Sequence, residues 1–215
     1  MNINAIAGVL VCLLLAMPAQ AQTIRLQLDG GEGPTRSLTV VPGTSTETFY
    51  LSTIIDPGGE ELTFAEWVQT PLIPNYPGVF RLGIQHFNGN CDVYFLSDYE
   101  LGMHFEGVCS CWDEGTPITM LRWQYADFTG ALGSDIVLSL RGIEATEPRP
   151  SSFGGFPGFV DCSEIAHVLE VSGGPAYITG AGAVVPSGSV VLNPTPDVVV
   201  GANSKSLAML KSSFR

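Results

Sequence analysis

Basic residues are scarce in this 215-residue chain: nine Lys and Arg stand against 21 Asp and Glu, a formal net charge of −12. A protein that binds nucleic acid by neutralising phosphates needs the opposite balance, so that class is excluded. Histidine is scarcer, with His86, His104 and His167 separated by eighteen residues or more and no His-Glu-x-x-His pair among them. There is no Gly-x-Ser-x-Gly nucleophile elbow, and Gly130-Ala-Leu-Gly133-Ser134 has the wrong spacing for one. Asp56, Glu60 and Glu61 are carboxylates placed for calcium, but the Asp-x-Asp-x-Asp-Gly pattern is missing, so no metal or other cofactor is expected. No Gly-rich stretch joins a strand to a helix, which leaves Gly173-Gly174 and Gly180–Gly182 as turns rather than phosphate cradles. Without a recognisable catalytic set, the chain is expected not to be an enzyme. A secreted hydrolase with an unrecognised site is the second alternative.

Long apolar runs are also absent, except at the start. Residues Met1–Ala21 read as a secretory signal peptide, with an uncharged run from Ala5 to Ala16, then Met17-Pro18 and an Ala19-Gln20-Ala21 cleavage site. That run is too short to span a bilayer, which takes roughly twenty residues, and no later stretch is long enough. Met1-Asn2-Ile3-Asn4 lacks the Lys or Arg usual in such a leader. A mature chain without a transmembrane span is expected, secreted to the outside or to the outer envelope surface of a bacterium.

Removing the leader removes Cys12 and leaves Cys91, Cys109, Cys111 and Cys162, an even number that argues for two disulfides in an oxidising compartment. Asp92–Ser97 and Met103–Val108 read as a hairpin about Glu100. Residues whose numbers sum to 200 then lie opposite one another: Cys91/Cys109, Val93/Gly107, Phe95/Phe105 and Ser97/Met103, all on one face. This register favours Cys91–Cys109 with Cys111–Cys162. A turn shifted by one residue gives Cys91–Cys111 with Cys109–Cys162, so both pairings stay open. A zinc reading of the four Cys and three His lacks the paired Cys-x2-Cys knuckles.

Between 25 Gly and 15 Pro, the rest of the chain breaks into short β-rich runs. Strands are expected at Ile24–Leu28, Ser37–Val41, Glu47–Ile54, Leu62–Gln69, Val79–His86, Ile118–Tyr125, Asp135–Ile143, His167–Val171, Ala176–Thr179 and Ser189–Leu192. Turn signals recur about every ten residues with no helical period between them, which predicts an all-β antiparallel sandwich over residues 22–192. Leu121, Trp123 and Tyr125 share one face of their strand, opposed by Ile118, Met120, Arg122 and Gln124. Trp123 with Ile136, Leu138 and Leu140 is expected in the core. Glu147–Gly158, rich in Pro, Gly and Ser, reads as a loop. Trp67, Trp112, Tyr76 and Tyr99 sit near turns or beside polar residues. They would supply the aromatic platform of a carbohydrate-binding module, the first alternative function, unless they simply cover core edges.

The end of the chain differs in sign. After a linker at 193–203, the segment 204–215 carries both lysines of the protein, Lys205 and Lys211, with Arg215, whereas residues 22–204 hold six arginines against 21 acids, a net of −15. Leu207, Leu210 and Phe214 fall at helical spacing, so a short helix or a flexible tail is expected to serve sorting or docking, or to rest on its own acidic domain.

The opening strand, the Val41-Pro42-Gly43 turn, Phe49-Tyr-Leu-Ser-Thr53 and the late Gly188-Ser-Val-Val-Leu192 strand together resemble cohesin-like β-sandwich domains over about residues 24–192. The closing Ser206-Leu-Ala-Met-Leu-Lys-Ser-Ser-Phe-Arg215 resembles the Ser-Trp-x-x-Leu-Lys-x-x-Tyr-Arg segment of uncharacterised exported proteins from environmental bacteria, with Leu207 in place of Trp and Phe214 in place of Tyr. These resemblances imply a cohesin-like or Ig-like sandwich without catalytic residues. They also imply a role in extracellular or envelope-associated interaction with a protein partner or a surface glycan. Ending the chain at Pro196 is expected to release the protein from the envelope to the medium, which fractionation of cells expressing either form will read.

Overall fold

The computed structural model describes residues 21–196 apart from 43–47, 73–75, 77, 86–90, 100–101, 113–116 and 148. The leader and the basic tail read from the sequence lie outside the described residues. The strands in chain order are β1 (Thr23–Asp29), β2 (Pro34–Thr35), β3 (Ser37–Leu38), β4 (Phe49–Asp56), β5 (Leu62–Gln69), β6 (Val79–Gln85), β7 (Cys91–Tyr99), β8 (Gly102–Trp112) and β9 (Ile118–Asp127). Then follow β10 (Ile136–Leu138), β11 (Leu140–Arg141), β12 (Gly158–Asp161), β13 (Ala166–Val168), β14 (Glu170–Val171), β15 (Tyr177–Ile178), β16 (Val184–Val185) and β17 (Val190–Leu192).

They form an antiparallel β-sandwich. The first sheet runs β14-β1-β4-β9-β6 with β2 added to β1, and the second runs β13-β12-β5-β8-β7 with β11 added to β5. Smaller sheets, β10-β17-β3 and β15-β16, complete it. Two pairings depart from the antiparallel rule, since β1 with β14 and β3 with β17 are parallel. The expected strand Asp135–Ile143 is in fact two: β10 pairs with β17, β11 pairs with β5, and the chain changes sheets at Ser139, whose carbonyl accepts from Thr70 N at 3.0 Å.

Period-2 alternation explains the core. Ile24, Leu26 and Leu28 of β1 are buried and their neighbours half-buried. A run of aromatic contacts crosses the sandwich. Trp67 stacks on Phe105 at 5.4 Å, Phe105 meets the edge of Trp123 at 5.4 Å, Trp123 meets Tyr125 at 5.8 Å, and Tyr125 stacks on Phe49 at 5.6 Å. Trp123, Leu138 and Leu140 are buried as expected, and Ile136 packs partly buried against them. Gly107 faces this layer because a Cβ there would run into the Cε of Met120. One polar pair is enclosed with the aromatics: Thr53 Oγ1 donates to Gln69 Oε1 at 2.8 Å.

Two bulges correct the expected registers. Cys91/Cys109, Val93/Gly107 and Phe95/Phe105 face one another as the hairpin arithmetic requires, but the register then shifts and Ser97 opposes His104, not Met103. In β9 the register shifts beside Met120, so Ile118 and Met120 are buried along with Leu121 rather than on the opposite face. The disulfides are Cys91–Cys109 and Cys111–Cys162, the pairing the register favoured. The loop read at Glu147–Gly158 ends in β12, which the sequence reading did not contain. Truncating Phe105 to Ala removes the middle ring of the aromatic run and is expected to cost about 3–5 kcal/mol in denaturant unfolding.

Candidate interaction surface

The titratable side chains come first, because they decide whether the chain carries chemistry. Asp127 accepts from the N–H groups of Thr129 at 3.2 Å, Ala131 at 2.9 Å and Leu132 at 2.9 Å. Burial alone would raise its pKa, but these backbone donors outweigh burial and hold the carboxyl below the ordinary value. Asp135 binds Thr195 N and Oγ1, both at 2.7 Å, and these bonds depress its pKa. Asp161 accepts from His167 Nε2 at 2.8 Å and from the N–H groups of Ser163 and Ile165, and the imidazole is the main cause of its depressed pKa.

His167 would be the natural general base, yet both ring nitrogens are engaged. Nδ1 accepts from Gln22 Nε2 at 3.1 Å, which leaves Nε2 to donate to Asp161, and the ring stacks on Phe159 at 4.7 Å. The imidazole braces the start of the first strand to β12 and β13. Glu66 and Glu106 lie directly opposite on β5 and β8, the arrangement of an acid/base pair of carboxylates. Glu66, however, is only 2% exposed, under Ser151 Oγ and Ser152 N at 3.2 Å each. Its burial pushes its pKa up, against the Ser152 and Ser151 donors. Glu106 is bridged by Arg149 at 3.2 Å. These carboxylates fasten a loop.

That loop, residues 144–147 and 149–157, lies over the outer face of β5. Phe153 stacks on Phe64 with centroids 6.2 Å apart, and Arg141 holds Glu147 through two nitrogens at 2.9 and 2.6 Å. Gly142 permits the close approach, since a Cβ there would strike the backbone of Gly155 and Phe156. The cover reaches β8 through Arg149 on Glu106 and leaves Asp92, Tyr94 and Val108 exposed. There Asp92 opposes Val108 and Tyr94 opposes Glu106, so that two acids and two apolar residues alternate as a checkerboard. Tyr94 is 51% and Val108 48% exposed. Among the described residues, β7 also ends its sheet.

The sequence had singled out other residues. Trp67 is fully buried in the aromatic run, so it belongs to no exposed platform; its polar neighbours Glu66 and Gln69 are themselves buried and gave a false sign of surface. Tyr76 packs half-buried against the core. The side chains of Tyr99 and Trp112, and the residues Lys205, Leu207, Leu210, Lys211, Phe214 and Arg215, lie outside the described ones. Asp56 Oδ1 accepts from Gly58 N, a turn contact, and Glu60 and Glu61 follow that turn. Among the described residues, the group of three metal-type ligands is Glu61 with Cys111 and Cys162, whose sulfurs are bonded to each other. Tyr94 and Val108 were legible only by parity: with Cys91, Val93 and Gly107 inward, their neighbours point outward.

No protein-family model matches the chain, and no curated protein matches it. Among solved structures it is similar to a cohesin module from the family 33 glycoside hydrolase of Clostridium perfringens, at 11% identity and a TM-score of 0.46, over 81% of this chain and 98% of that one.

The two carboxylates predict opposite pH dependences. Asp127, held below its usual 3.8, contributes stability above that pH that is lost as pH falls through its folded value. The advantage of wild type over Asp127→Asn should therefore shrink in acid. Glu66, held above its usual 4.5, favours the fold while protonated, so the advantage over Glu66→Gln should shrink as pH rises past 4.5. Denaturation midpoints between pH 3 and 8 will show both slopes.

Proposed function

We propose that this chain is a non-enzymatic exported module for interaction and assembly, outside the cell or at the envelope, and that it docks a protein partner on the outer face of β7 and β8. The observation that carries this reading is the exposed Asp92, Tyr94 and Val108, next to the Arg149–Glu106 bridge at the end of a sheet. Tyrosine and valine side chains about half exposed on neighbouring strands give a partner apolar surface to bury, and tyrosine is a frequent anchor of such interfaces. The exposed Asp92 beside them and the net acidity of the chain favour a partner with basic side chains. Because β7 ends its sheet, a partner strand can add to it through main-chain hydrogen bonds. The remaining polar side chains support the reading from the other direction, since the carboxylates with displaced pKa values each secure a loop or a neighbouring strand. Two disulfides suit an oxidising compartment.

Purified protein immobilised on beads is expected to retain a component of envelope extract that a Tyr94→Ser, Val108→Ser double variant loses, with unfolding midpoints unchanged. Equal retention by both forms overturns the docking surface.

A further inference from the structure

The outer face of the first sheet is built differently. Its rows are set by register: Gln27, Ser52 and Arg122 lie side by side on β1, β4 and β9, and the next row is Asp29, Tyr50 and Gln124, ending at Gly83 on β6. One row further, Phe80 of β6 pairs with Ala126. Bulging of β6 between Arg81 and Gly83 leaves Phe80 on the same side as Gln124.

Four features make this a prepared surface. Arg122 lies flat over the Tyr50 ring, 3.9 Å from its centroid, and reaches Asp29 at 3.3 Å, so the guanidinium is fixed before any ligand arrives. Beside it a cavity of about 80 Å³ opens between Gln27, Asp29, Ser52, Thr119 and Arg122. Gln124 Nε2 donates to Thr48 Oγ1 at 3.1 Å, which turns its carbonyl oxygen toward Gly83. Among the described residues, a Cβ on Gly83 would meet that oxygen at 3.8 Å, so an acceptor borders the open position at Gly83. Phe80 and Phe128 then form an exposed aromatic pair at 5.6 Å, with 52% and 37% of their surface open.

We propose that this face binds a neutral oligosaccharide. Charge selects the class. The chain as a whole is strongly acidic and repels polyanions, while on this face Asp29 is paired with Arg122, Arg25 stands one row away beside Ile54 and Thr119, and the polar groups between Gln27 and Gln124 are otherwise amides and hydroxyls. Uncharged vicinal hydroxyls suit such donors and acceptors, and the C–H face of a sugar ring suits an exposed aromatic ring. From Arg122 to Ala126 the strand advances about 13 Å, at ~3.3 Å per residue, so a ligand reaching both the cavity and Phe80 is a short chain of sugars rather than a single ring.

Full-length purified protein titrated with linear neutral oligosaccharides of glucose, xylose, mannose and N-acetylglucosamine, and with an oligouronate, is the test. Saturable binding of a neutral oligomer is expected, weakened roughly tenfold by Phe80→Ala and again by Gln124→Ala, and untouched by Tyr94→Ser on the opposite sheet. Both substitutions are on the surface, and unchanged unfolding midpoints will establish that the variants are folded. The proposal is overturned if no neutral oligomer binds, if only the uronate binds, or if binding survives both substitutions.

Discussion

The contact of two sheets through one continuous set of aromatic rings is the constraint on which this fold rests. Trp67 and Phe105 belong to the second sheet, Trp123, Tyr125 and Phe49 to the first, and the edge contact between Phe105 and Trp123 joins them. A one-residue slip in β8 or β9 would turn these rings outward, so burial of the run fixes register in both strands at once. Register then places Cys91 against Cys109, leaves Gly107 as the gap that Met120 fills, and fixes which residues of β7, β8 and β9 face water. Val108 of β8 and Arg122 and Gln124 of β9 lie on the reverse sides of strands whose inner sides carry these rings.

A second theme is how a protein with so few cations uses them. Arg36 donates to the carbonyls of Ser189 at 2.8 Å, Pro175 at 2.6 Å and Pro186 at 3.0 Å and lies over Tyr177, closing the C-terminal loops on the edge of the sandwich. Arg141 and Arg149 hold the loop over β5, and Arg122 is set between Asp29 and Tyr50. Guanidinium suits these tasks because its fork of donors satisfies several acceptors in fixed directions, which a lysine ammonium does not. Buried Asp127 and Asp161 each close a turn with backbone donors, and buried Glu66 takes its donors from Ser151 and Ser152.

Strand positions were legible from the sequence because alternation and turn residues mark them directly, and counting across one turn favoured the cysteine pairing that forms while leaving one alternative open. The bulges were not legible. An extra residue beside Phe95 or at Met120 leaves the composition of a strand unchanged, so the count from Glu100 held to Phe105 and failed at Ser97. Strands of two residues such as β2, β11 and β16 are defined by what they pair with, not by any local pattern. Trp67 was misplaced because polar neighbours imply water, and here Glu66 is capped by a loop 85 residues away in sequence while Gln69 is paired inside the core. The face bearing Gln124 and Phe80 was invisible for a related reason: its residues come from β1, β4, β6 and β9, and only the register assembles them.

The Cys109-Ser-Cys111 tripeptide has a mechanical consequence. Cys109 is bonded back to Cys91 and Cys111 forward to Cys162, with a left-handed backbone at Cys111 (φ 33°) where the strand turns from one bond to the other. A pulling force that enters at residue 91 therefore crosses one disulfide, passes through Ser110, crosses the second and leaves at residue 162. The intervening chain, including β7, most of β8 and all of β9 to β11, is off the load path. At ~3.4 Å per residue about 230 Å of contour length is shielded from extension. Tethered between a surface and a partner, such a module would yield at its ends while the strands carrying Tyr94 and Val108 stayed slack and folded.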